Sequence, residues 1–215
     1  MLKRKSPKLD MNTRSDKHGH TDDLSQIAKG SDVKSSTHIV DEAYITDWLV
    51  LGPFFPDDLD TDFLADMGGE ANIEPKEGDI VTTADGTTLT WKHYKSKTDI
   101  IELLYAVAEH EHATAYAFCV LRSETAGETQ ICLGSDDGVA VWINGEQVHH
   151  NPAFRSLTLD EDVFEASLKA GDNRCLVKVF NGTGTWDLAM RVVFLPPNRA
   201  VLSGMITDET DKPIP

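Results

Sequence analysis

The 215-residue chain is short of cysteine, of positive charge and of long apolar runs, and each shortage excludes something. Its three cysteines, Cys119, Cys132 and Cys175, cannot all pair within one chain. Each lies in an apolar stretch, so they read as buried thiols acting as small hydrophobes. An oxidising compartment would admit one disulfide. No Cys-x-x-Cys or Cys/His spacing supports a structural zinc. Lys and Arg number 20 against 36 Asp and Glu, for a net charge of −16. Such a surface repels phosphate backbones and anionic lipid, which argues against nucleic acid and suits solubility, cations or neutral ligands such as sugars. No apolar run is long enough to span a bilayer, so no transmembrane segment is expected. The basic start Met1–Lys5 is not followed by the apolar stretch of a signal peptide.

Catalytic signatures are missing as well. There is no Gly-x-Ser-x-Gly elbow, Cys/His nucleophile pattern, phosphate-cradling glycine loop or nicotinamide fingerprint. Gly182-Thr183-Gly184 lacks a third glycine and leads into a strand. With so many acids, some carboxylate pair would satisfy any glycosidase spacing, so their presence argues nothing. No catalytic residue is assigned, and the chain reads as a non-enzyme.

What is present is a 40% hydrophobic, 26% charged composition, enough to build a real core without staples. Residues 1–43 are polar and aperiodic and read as a disordered or weakly ordered leader, with a short helix around Asp22–Lys29 and an incidental His18/His20 pair. Order is expected from Tyr44. Trp48–Leu51 before Gly52-Pro53 reads as a buried strand. Residues 56–79 form an acidic stretch with no period, expected to pack on the domain through Phe63, Leu64 and Met67. Leu89 and Trp91 alternate with polar neighbours, and Ile100, Ile101, Leu104 and Val107 carry the spacing of one short helix.

From there the period turns to two. Strands are expected at 115–122, 129–134, 138–143, 146–149, 156–159, 163–168, 174–181 and 186–194. Asn144-Gly145 between two apolar runs is a hairpin signal, because both turn positions need a residue that tolerates positive φ. The rhythm is that of an all-β, antiparallel β-sandwich of jelly-roll type spanning 44–197.

The stretch Leu133-Gly134-Ser135-Asp136-Asp137-Gly138-Val139-Ala140-Val141-Trp142-Ile143-Asn144-Gly145-Glu146, with Asn181-Gly182-Thr183-Gly184-Thr185-Trp186, resembles the galactose-binding-like jelly-roll domain of family 2 glycoside hydrolases. Its Ser-Asp-Asp-Gly resembles the protective-antigen-type β-sandwich as well. Residues 198–215, with Ser203-Gly204-Met205-Ile206-Thr207-Asp208 and Lys212-Pro213-Ile214-Pro215, resemble the first strand of a carboxypeptidase-regulatory-like module, so the chain is expected to be part of a larger multidomain protein.

These resemblances imply an accessory module for carbohydrate or glycoconjugate in a secreted or cell-surface protein, its partners being the sugar and the neighbouring domains. The ligand-binding candidates are Trp142, Asn144, Asn181 and Trp186, with Trp142 expected to face outward. Asp136 and Asp137 are the metal candidates, for calcium. The alternatives are a structural spacer or docking sandwich with no small ligand, and an accessory part of a glycoside hydrolase. Asp58, Asp60 and Asp62 mimic the start of an EF-hand loop, but Phe63 stands where its glycine belongs, so a solvated acidic loop is the reading. The pairs His110/His112 and His149/His150 read as surface residues.

Overall fold

A computed structural model describes residues 36–195. The expected Asp22–Lys29 helix, the His18/His20 pair and the strand beyond 198 lie outside the described residues. Within them the fold is an all-β sandwich, as expected. The larger sheet runs, edge to edge, β10 (Glu146–Asn151), β9 (Val139–Ile143), β12 (Gly171–Asn181), β7 (Ala113–Ser123), β2 (Asp47–Phe54) and β5 (Lys92–Lys95). β1 (Thr37–Ile39) lies parallel beside the end of β7. Order therefore begins ahead of Tyr44, because β1 and the Ser36 carbonyl satisfy the edge of β7 beyond the reach of β2. The smaller sheet is β11 (Asp162–Leu168), β8 (Gly127–Asp136), β13 (Asp187–Phe194) and β6 (Ile101–Glu102). A separate ribbon pairs β3 (Ile80–Thr82) with β4 (Thr88–Thr90).

The expected helix shrinks to one turn, α1 (Leu103–Ala106), because Ile101 and Glu102 pair instead with β13. The segment 156–159 forms no strand. The expected Asn-Gly hairpin is present, with φ of 52° at Asn144 and 91° at Gly145.

Two apolar layers hold the chain. Between the sheets pack Trp48, Val50, Ala117, Val141, Val177 and Met190 among others, all essentially sealed from solvent. The second layer lies on the opposite face of the larger sheet, where Leu49, Leu51, Tyr116, Phe118, Trp142 and Leu176 are covered by Leu59, Leu64, Ile73, Val81 and Trp91. That double burial explains why β2 and β7 read as continuous apolar runs. It also corrects the expected outward Trp142, which is 7% exposed because residues 55–91 fold over it. Of the expected anchors of this stretch, Leu64 is buried but Met67 is exposed.

The acidic cover is pinned from below by Lys178, wholly buried on β12. Its Nζ donates to Leu59 O at 2.9 Å, to Thr61 O and to Glu70 Oε1 at 3.0 Å, and Tyr116 donates to the same Glu70 oxygen at 2.6 Å. A buried ammonium must be paired and hydrogen-bonded, and here the loop supplies every acceptor.

Candidate functional site

The nominated residues fall at two ends and in one interior. Asn144 stands at the β9–β10 hairpin, where its Nδ2 donates to Asn173 Oδ1 at 2.8 Å and its Oδ1 accepts from Arg174 N at 3.1 Å. Asn173, wholly buried, uses its Nδ2 toward the Leu121, Lys169 and Gly171 carbonyls and takes Lys169 N on its Oδ1. Every polar atom of this amide pair is spent within the protein. Trp142 lies under the acidic cover. Asp136, Asp137, Asn181 and Trp186 come together at the opposite end.

That end is built on the turn from β8 to β9. Asp137 Oδ1 accepts from Arg155 N at 2.8 Å and Oδ2 from Gly182 N at 2.7 Å. Asp136 Oδ2 accepts from Thr185 Oγ1 at 2.6 Å. The two carboxylates thus tie the β10–β11 loop and the β12–β13 loop to one turn. Gly138 is obligatory there, since a Cβ would stand 2.3 Å from the Phe180 ring and 2.9 Å from Asn151 O. Gly182 likewise lets Phe154 lie close, for a Cβ would sit 2.6 Å from that ring. Arg155 fastens the β10–β11 loop by a two-pronged bond to Asp162, at 2.8 and 2.6 Å, and reaches Ser135 Oγ at 2.8 Å. Burial alone would raise the Asp162 carboxyl, but Arg155 and His149 hold it down to about 2. His149 is therefore a half-buried brace stacked on Phe164, not the surface residue expected.

Charge accumulates at this end without relief. Asp136 and Asp187 are register neighbours, and Asp187 in turn faces Glu102. Burial raises the Asp187 carboxyl to about 6, helped by the charges of Asp136 and Glu102. Burial, with the charge of Asp137, pushes Asp136 upward too. Three buried polar atoms here have no partner, Arg155 Nε among them. Asn181, wholly buried, donates from Nδ2 to His110 O at 2.7 Å, while its Oδ1 accepts nothing; Trp186 Nε1 donates to nothing. Such orphans are uncommon in protein interiors.

Around this end stand exposed rings. Phe154 is 73% exposed and rests edge-on against Phe180 at 5.1 Å. Phe55, also exposed, meets His110 at 5.5 Å. Beside Phe55 opens a cavity of about 440 Å³ whose walls include Phe54, Phe55, Phe63, Asp62 and Asp66. Phe154 and Arg155 carry no motif that marks them in the sequence. The one available signal was an aromatic standing in a polar loop outside any alternation.

The resemblance to protective-antigen-type domains implies calcium, and the donors can be tested against it. Asp136, Asp137 and the orphaned Asn181 Oδ1 are all hard oxygens, the kind calcium takes. Among the described residues no three His, Cys, Asp or Glu side chains gather as a metal set. A cation here would thus rest on the carboxylate pair, the amide oxygen, backbone carbonyls and water. The acidic run Asp57–Asp62 offers less. Asp58 accepts from Asp60 N at 2.7 Å, and Asp62 accepts from Leu64 N at 2.9 Å and Glu70 N at 3.2 Å, so these side chains fold back on their own loop.

No family model matches the chain, and no curated protein matches it. Among solved structures, a beta-glucosidase from Kluyveromyces marxianus is 11% identical over 56% of this chain and 16% of that one, with a TM-score of 0.42. An anti-sigma factor domain-containing protein from Clostridium clariflavum is 14% identical over 68% of this chain and 41% of that one, at 0.41. The PA14 domain of the MpAFP antifreeze protein is 10% identical over 67% of this chain and 80% of that one, at 0.37. This chain spans less than half the length of the first two. The likenesses are partial, and the fold assignment rests on the sheets themselves.

Proposed function

We propose that the chain is a non-catalytic accessory module that binds carbohydrate at the Asp136–Asp137 end of the sandwich, with a calcium ion held by Asp136, Asp137 and Asn181. The observation that carries this reading is the buried Asn181 Oδ1, left without a donor on the strand end whose next residue, Gly182, donates its backbone N–H to Asp137. Calcium, when bound, supplies a hard Lewis acid to which sugar hydroxyls can add. The protein's own share is to fix the carboxylates through the Arg155, Gly182 and Thr185 donors. Phe154 offers an exposed face on which a pyranose ring can stack. A glycan array run in calcium buffer tests this. Retention of at least one glycan, lost on chelation, is the expected result; no retention of any polysaccharide would overturn it.

A spacer or docking sandwich with no small ligand is the second reading. Burial of both Trp142 and Trp186 favours it, since neither tryptophan can serve as a stacking platform.

A further inference from the structure

Cys119 lies in the middle of β7 and Cys175 in β12, and the two are direct register partners across the antiparallel ladder. Both belong to the layer between the sheets and both are wholly buried, so their side chains share one face of the ladder. Directly opposed residues of an antiparallel pair have Cα atoms roughly 4.5–5.5 Å apart. A disulfide spans about 4.4–6.8 Å between Cα atoms. The backbone spacing of such a register pair therefore falls within the range that a disulfide bridges. Cys132 is elsewhere: it sits on β8 in the other sheet, opposite Val163 and Arg191.

The odd number of cysteines thus resolves into two and one. We propose that Cys119 and Cys175 form a cross-strand disulfide when the chain folds in the presence of a small-molecule disulfide such as oxidised glutathione, leaving Cys132 as the free thiol. One cysteine thiolate displaces a thiol from the oxidant and forms a mixed disulfide. The second thiolate then attacks that bond at the protein sulfur, joins Sγ to Sγ and expels the second thiol. Two protein thiols are oxidised, one small disulfide is reduced to two thiols, and the protons pass to the leaving thiolates. Exchange runs while β7 and β12 are still unzipped, because the folded pair is sealed and burial holds the Cys119 thiol protonated. In a reducing compartment the same chain keeps three thiols and still folds on its two apolar layers.

The test is to refold the denatured chain in a glutathione redox buffer, alkylate it under denaturing conditions and map the peptides. Expected are a mass lower by about 2 Da from the two hydrogens lost, a Cys119–Cys175 linked peptide and a single alkylated cysteine at Cys132. The linked form should melt roughly 5–10 °C above the reduced one, since the bond constrains the unfolded chain. C132A should give the same link and C175A none. Mapping the chain exported through an oxidising periplasm repeats the reading without the refolding step. Three alkylated thiols by both routes, or a link through Cys132, would overturn the proposal.

Discussion

The two ends of the sandwich are made of similar residues and finished differently. At the hairpin end, the Asn144 and Asn173 amides lock together and spend every donor and acceptor on the protein. At the other end, burial and the charges of neighbouring carboxylates raise Asp136 and Asp187, and an asparagine oxygen, an indole nitrogen and Arg155 Nε lie buried with nothing to bond. A polar cluster closed on itself is architecture. One left open is stable only at a cost, and on the proposed reading the missing partner is a ligand.

The sharpest way to break this contrast is at the closed end. Asn173→Ala should cost about 3 kcal/mol in urea unfolding, because several buried carbonyls and an amide lose their partner together. Glycan retention by the protein that still folds should not change. Asn181→Ala should cost only about 1 kcal/mol, the worth of one hydrogen bond to His110 O, while abolishing calcium-dependent retention. If the two substitutions exchanged these effects, the assignment of the ends would be reversed.

Acidity sharpens the contrast further. The folded Asp187 carboxyl titrates near 6, above its ordinary value, so the folded state holds that proton more tightly than the unfolded chain. Its contribution is fully present below the ordinary aspartate range and is lost as pH rises toward about 6. The size should stay below about 1 kcal/mol once solvent screening is allowed for. A pH series of melting curves should show that decline in the wild type and a flatter profile in Asp187→Asn. Phe154→Ala should be smallest in stability, within about 0.5 kcal/mol for an exposed ring, yet weaken glycan affinity by roughly tenfold. Equal affinity in that variant would remove the ring from the site.

Much of the fold was legible because period-two burial and Asn144-Gly145 are local signals. Trp142 was misread because alternation tells which residues share a face but not whether that face is covered; the cover comes from residues 55–91, whose acidic, aperiodic sequence hides Leu59 and Ile73. The short helix was overextended because the pairing of Ile101 with Leu188 is a long-range contact. Of the residues proposed for the site, Asp136, Asp137 and Asn181 were nominated from turn chemistry and family resemblance. Arg155 and Phe154 were not, because only the folded β10–β11 loop carries them to that turn.

A calcium titration of the metal-free protein, followed residue by residue through its amide NMR spectrum, separates the two ends in a single experiment. Saturable shifts should gather on Asp136–Gly138 and on Asn181–Trp186 while Asn144 and Asn173 stay silent. An unchanged spectrum, or shifts centred on Asp57–Asp62 or on the hairpin, would contradict the assignment of the open end as the place where this protein meets its ligand.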